Sequence, residues 1–188
     1  MAKRRFKQIV LTVAGLAFLT GTTACDFHPA NGREDGVALR TALTNAEGGN
    51  VDRPFSVKRD GTYVVSVEFA WPTANTEAAE LFERAAADVG TGNVPRPFDF
   101  AWQVLGDGDQ IAEGSGRQGA LGLIDSSDTA MGQGQPTSRA LVFGAFPARV
   151  GVSYTLRLRP GPEIGPLLRA SPSVLVAAAA GYDPDMSR

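Results

Sequence analysis

Three stretches of this chain alternate strictly between apolar and polar residues. That period of two confines them to β-strands with one face on a core. Within 61–71, Tyr63, Val65, Val67, Phe69 and Trp71 share a face, with Ser66 and Glu68 opposite. Within 98–105, Phe98, Phe100, Trp102 and Val104 share a face, with Asp99 and Gln103 opposite. Within 152–159, Val152, Tyr154, Leu156 and Leu158 alternate with Ser153, Thr155, Arg157 and Arg159. A helical period of 3.6 would scatter these apolar residues around an axis. Weaker strand candidates are 53–58, 110–113, 120–124, 139–146 and 173–178. Turn signals separate most of them, including Asp60-Gly61, Gly106-Asp107-Gly108-Asp109 and Pro160-Gly161-Pro162.

One segment changes period. Over 77–89, Ala78, Leu81, Phe82, Ala85 and Val89 recur at helical spacing. Thr76 is the expected N-cap, Glu80 and Arg84 form an i, i+4 pair, and Gly90 is the expected C′ residue. The reading is a helix inserted between strands, its apolar stripe covering an open sheet edge or one end of the sheets. Its polar face, Glu80, Glu83 and Arg84, is a candidate partner surface. A capped insertion can vary without breaking a strand ladder, and such elements carry binding. The blander reading has the helix simply cover an apolar gap.

The expected fold is mainly β: a single antiparallel two-sheet β-sandwich over 51–181, with one inserted helix and a tail at 182–188. Trp102 at the centre of a mid-chain strand, and Gly151-Val152-Ser153-Tyr154 opening a late one, resemble the core tryptophan and tyrosine corner of immunoglobulin-like sandwiches. The resemblance is to that architecture and implies no function.

Cys25 is the only cysteine. Ahead of it stand a basic head (Lys3, Arg4, Arg5, Lys7), an uncharged and largely apolar run over 9–20, and the small residues Thr22, Thr23 and Ala24. This arrangement resembles the lipobox signal of bacterial lipoproteins, with Thr22 where Leu, Val or Ile is usual. The resemblance implies removal of 1–24 and acylation of the Cys25 thiol. A Thr-x-Ala ending also suits ordinary signal peptidase, which leaves a soluble protein with a free thiol. The apolar run is shorter than the roughly 18–20 residues of a membrane-spanning helix. Residues 25–50 are expected to form a lipidated tether, with 37–46 a short helix or an early strand.

Processing before Cys25 removes four basic residues and takes the formal charge from −2 to −6. A mildly acidic domain has no electrostatic basis for binding nucleic acid or an anionic membrane. Membrane attachment is therefore expected through the lipid on Cys25, whose chains give stable anchoring.

The sole histidine, His28, lies three residues from that anchor, so Ser/His or Cys/His nucleophilic catalysis has no base at hand. Zinc lacks its usual Cys and His ligands. Asp107, Asp109 and Glu113, and separately Asp125 and Asp128, suit calcium less well than they suit tight turns. Gly114, Gly116 and Gly119 spell G-x-G-x-x-G, but 125–128 cannot continue the required helix, and a bulged hairpin is expected instead. No cofactor is expected. Trp71 shares the apolar parity of its strand and is expected at the core or an edge, with sugar stacking as the rival role.

The functional expectation is a non-enzymatic lipoprotein of the bacterial cell envelope, its domain facing the periplasm or the exterior. Its partner is expected to be another envelope or exported protein, in assembly or in an immunity or inhibitor role. The alternatives are a glycan- or peptidoglycan-binding module using Trp71 or the 106–119 loops, and a small hydrolase working with paired carboxylates.

Overall fold

The computed structural model describes residues 36–87, 98–126 and 138–179. Nine strands run in chain order: β1 (Val37–Ala42), β2 (Val51–Phe55), β3 (Gly61–Ala70), β4 (Phe100–Gly106), β5 (Asp109–Ser115), β6 (Gly122–Ser126), β7 (Ser138–Ala148), β8 (Tyr154–Pro160) and β9 (Ser173–Ala178). Helix α1 (Thr76–Ala87) lies between β3 and β4, and the short α2 (Gly165–Arg169) lies between β8 and β9. The strands form two antiparallel sheets, ordered β1-β9-β3-β7-β6 and β2-β8-β4-β5. The two-sheet sandwich expected from the alternating pattern is present.

Its topology is that of a jelly roll. With β6 set aside as an added edge strand, the other eight pair from the outside in. The first joins the last (β1–β9), the second the next-to-last (β2–β8), then β3 joins β7 and β4 joins β5. Cross-pairs β9–β3 and β8–β4 complete the sheets. This nested order is that of a double-sheet jelly roll. It corrects the immunoglobulin-like expectation, because an immunoglobulin sandwich sets its first two strands side by side. Here β1 and β2 lie in opposite sheets. The tyrosine-corner feature is nevertheless real. The Tyr154 hydroxyl accepts the Arg149 N–H at 2.7 Å and donates to the Arg149 carbonyl at 3.4 Å. It pins the turn from β7 into β8, a local task that several sandwich topologies share.

The sandwich also begins earlier than expected. β1 is hydrogen-bonded to β9, and Leu43, just after it, is 1% exposed. Residues 37–43 therefore belong to the domain and not to a tether ending at 50. The weaker strand candidates are recovered as β2, β5, β6, β7 and β9 with shifted ends.

Trp102 of β4 is the largest wedge between the sheets. It is buried, and its ring lies where a Cβ on Gly114 of β5 or on Gly144 of β7 would stand. Two glycines thus clear space for one indole, from the neighbouring strand and from the opposite sheet. Phe143 packs between Phe98 and Phe100, with centroids 5.5 and 5.1 Å away. At the other end Phe55 stacks on Tyr154 at 5.3 Å, and Phe146 closes on both rings. Aromatic pairs at these separations add directional attraction to the burial of apolar area.

Candidate functional site

The alternation in β3 predicts one apolar and one solvated face, yet all seven residues from 63 to 69 are buried. Ser66 and Glu68, expected opposite the core, are 0% and 7% exposed. β3 is the middle strand of its sheet, and its outward residues fall in register with outward residues on both neighbours. Val64 faces Ala177, and Ser66 faces Leu175 on one side and Val142 on the other. Glu68 faces Ala140 on β7.

Val64, Ala140 and Val142 form an apolar cluster of their own, separate from the main core, with Ala179 against it. Together with Leu175 and Ala177 they make an outer sheet face of small and medium apolar side chains, none more than 6% exposed. The described helices do not lie across this face. Phe82 of α1 packs with Phe69 and Trp71 at one end of the sandwich, and α1 touches α2 and the start of β7.

Charge on this face is confined to its margin and neutralised there. Glu68 takes the Arg40 guanidinium on both oxygens, at 3.0 and 3.2 Å, and accepts the Ser138 hydroxyl at 2.7 Å. Ser66, at the centre, differs: its Oγ is buried without a hydrogen-bond partner among the described residues. An unpaired buried hydroxyl costs about 1–3 kcal/mol.

α1 sits where its apolar stripe requires. Ala78, Leu81, Phe82 and Ala85 are buried, and Glu80, Glu83 and Arg84 are exposed, as the spacing predicts. The cap differs: Asn75, not Thr76, accepts the Ala78 N–H on its side chain at 3.1 Å. Arg84 donates to the backbone carbonyl of Glu80 at 3.3 Å and not to its carboxylate. Glu83 is already engaged by Arg139 of β7 at 2.9 Å. The Arg139 guanidinium also lies over Phe82 and Trp71, at 4.4 and 4.8 Å from the ring centroids. Glu83 therefore fastens the helix to the sheet, which leaves Glu80 and Arg84 projecting. Trp71 is half-buried beneath the same arginine, at the core's edge. Val89 and Gly90 lie outside the described residues, as do Cys25 and His28.

The remaining motifs resolve into packing. Gly114 yields to the Trp102 ring, Gly116 to the Phe98 carbonyl and the Phe100 ring, and Gly119 adopts φ +86°. The G-x-G-x-x-G spelling thus records two close approaches and one positive-φ turn. Asp107 holds the β4–β5 turn at φ 50° and accepts the Ser153 N–H at 3.1 Å. Among the described residues no group of three or more His, Cys, Asp or Glu is placed to hold a metal.

Asp99 is buried and receives Arg117 in a fork, at 2.6 and 2.9 Å, with the Glu163 N–H at 3.4 Å. The arginine holds its carboxyl below the usual carboxylate range. This lock had no signal in the alternation, which assigns Asp99 to the solvated side of its strand.

A shallow depression of about 480 Å³ lies outside β4, β5 and β8. Gln103, Glu113, Gln118, Arg157 and Arg159 line it, with Asp52 bridging the two arginines at 3.2 and 3.6 Å. Glu113 is the one carboxylate in that lining.

No known protein family matches the chain, and no curated protein matches it. Among solved structures, the crystal structure of GITRL from bushbaby aligns over 69% of this chain and 73% of its own, at 12% identity and a TM-score of 0.27. The jelly-roll assignment rests on strand pairing and not on that likeness.

Proposed function

We propose that this chain is a lipid-anchored protein of the bacterial cell envelope whose jelly-roll domain binds another protein chain. The observation that carries the binding reading is the exposed face of α1, from which Glu80 and Arg84 project. The outer face of the five-stranded sheet is apolar, but Val64, Ala140, Val142, Leu175 and Ala177 are all buried within the single chain, so it offers no free surface. Glu83 belongs to the fold and not to the helix's exposed face, since it is committed to Arg139.

Anchoring rests on the signal ahead of Cys25 and is tested by intact mass. Acyl mass on a chain beginning at Cys25 is expected. An unmodified mature chain in the aqueous phase overturns it. The binding reading is tested by placing a photoreactive residue at Arg84 of the full chain in its own cells. A covalent protein–protein product is expected, and its absence overturns the reading.

A second reading is carried by the depression on the other sheet, where two glutamines and two arginines present hydrogen-bond donors suited to a glycan. Titration with peptidoglycan fragments, expected to lose its signal on Arg157→Ala, tests it. Unchanged binding in that variant removes the depression from consideration.

A further inference from the structure

We infer that the end of the sandwich built from the 56–60 and 149–153 turns rests on the membrane that holds the Cys25 lipid, with Lys58, Arg59 and Arg149 against anionic phospholipid headgroups. The inference rests on the lipid-anchoring reading above and adds to it an orientation and a second membrane contact. Three observations lead to it.

The first is where the chain enters the domain. β1 lies antiparallel to β9, and β9 antiparallel to β3, so β1 and β3 start at the same end. A Cβ on Gly36 would stand 3.9 Å from that of Ala178 and 4.0 Å from the Arg59 guanidinium. Ten residues, 26–35, separate Gly36 from Cys25. A chain of that length spans at most about 40 Å. The lipid therefore holds the domain by the end that carries the 56–60 turn. β3 is ten residues long, which is about 30 Å, and α1 follows its far end. Glu80 and Arg84 are thereby presented away from the membrane.

The second is charge. Among the described residues, only Lys58, Arg59, Arg84 and Arg149 carry a cation outside any ion pair. Three of the four are exposed at this one end, where a hydrogen bond from the Val150 N–H to Asp60 at 2.7 Å joins their two turns. The net negative charge of the mature chain belongs to the whole molecule and does not describe this end. The acids here serve turns: Asp60 holds Val150, and Asp107 accepts the Ser153 N–H at 3.1 Å. Asp107 and Asp109 flank the β4–β5 turn, at the end of the four-stranded sheet, whereas the three cations flank β3 and β7 of the other. Guanidinium and ammonium groups match phosphate oxygens, and basic residues near an anionic leaflet are drawn to it.

The third is the tip of this end. Val150, 56% exposed, is the most exposed large apolar residue among those described. It stands between Arg149 and Gly151 in the β7–β8 turn, beside the same cations. An apolar tip next to a long basic side chain suits a headgroup layer. The valine enters the layer while the arginine keeps its charge at the level of the phosphates.

The acylated full chain, purified and reconstituted, tests this, because acylation of Cys25 leaves an introduced cysteine as the one free thiol. Val150→Cys and, as the remote control, Glu80→Cys each carry a fluorophore. The vesicles are phosphatidylglycerol and phosphatidylcholine with a nitroxide-headgroup lipid. Strong quenching is expected at position 150 and little at position 80. Equal quenching at the two positions, on protein that stays with the vesicles, overturns the inference and leaves anchoring standing. Protein that does not stay with the vesicles overturns both. In vesicles of phosphatidylcholine alone, quenching at 150 is expected to fall to the level at 80. The same fall is expected when Lys58, Arg59 and Arg149 are changed together to Gln, with circular dichroism confirming the fold. Undiminished quenching in either case overturns the role given to the headgroups. The phosphatidylcholine arm needs no charge substitution, so it decides the matter even where the triple variant fails to fold.

Discussion

Trp102 shows how far single residues could be read. Its parity placed it in the core, and it is there, 3% exposed. Trp102→Ala is expected to cost about 3–5 kcal/mol in urea denaturation, against no more than about 0.5 kcal/mol for Gln103→Ala. Gln103 faces outward and bonds Gln110 across the surface. The partners that make room for the indole were not legible, because a glycine announces a close approach without saying to what. Gly144→Ala is expected to cost about 1–3 kcal/mol by forcing a methyl into the ring. That cost should largely vanish in a Trp102→Leu background, which a double-mutant cycle measures; full additivity would show that the ring is not the obstacle. Asp99 was hidden for a different reason. Alternation assigns faces by polarity, and it cannot anticipate an arginine from 18 positions away closing over a carboxylate. Because Arg117 lowers the pKa of Asp99 from its usual 3.8, the pair stabilises the fold above that value and fails as pH falls through the lower folded one. The gap in urea midpoint between wild type and Asp99→Asn is expected to be steady near neutrality and to shrink below about pH 3.8. A gap that ignores pH would assign Asp99 a purely steric role.

Among the elements, α1 was the most legible, since its apolar stripe and polar face are where the spacing put them. Only its first residue and its attachment were misread. Asn75 caps it, so Asn75→Ala is expected to cost about 1 kcal/mol and Thr76→Ala much less, as thermal melts of the two variants would show. Glu83→Ala is expected to lower the melting temperature slightly, whereas Glu80→Ala leaves it unchanged, because only Glu83 is bound to Arg139. Equal effects would return both residues to the solvated surface. β3 shows the opposite case. Its core face was plain, but Ser66 and Glu68 read as solvated residues. Sequence polarity reports how a residue meets water on average. It does not report that small neighbours across three strands, Ala140, Val142 and Ala177, merge with it into an apolar face. That face could be assembled only with the pairing register in hand.

For the whole molecule, class was readable and connectivity was not. Period two identifies strands and their inward sides, but partner choice is a matter of which distant segments meet. The tyrosine corner misled here because it is a solution to a turn and is indifferent to the order of strands around it. β1 was missed as part of the domain because Arg40 and Thr41 interrupt its apolar pattern. As an outer strand, it needs only partial cover. The strand order also bears on time. β9 stands between β1 and β3, so β1 cannot join its sheet until residues 173–178 exist. Pairings this distant are slow to close. A nascent polypeptide arranged in this way cannot zip itself shut early. Its first described strand waits for its last, so one edge of the sandwich closes only when the rest of the fold is already made.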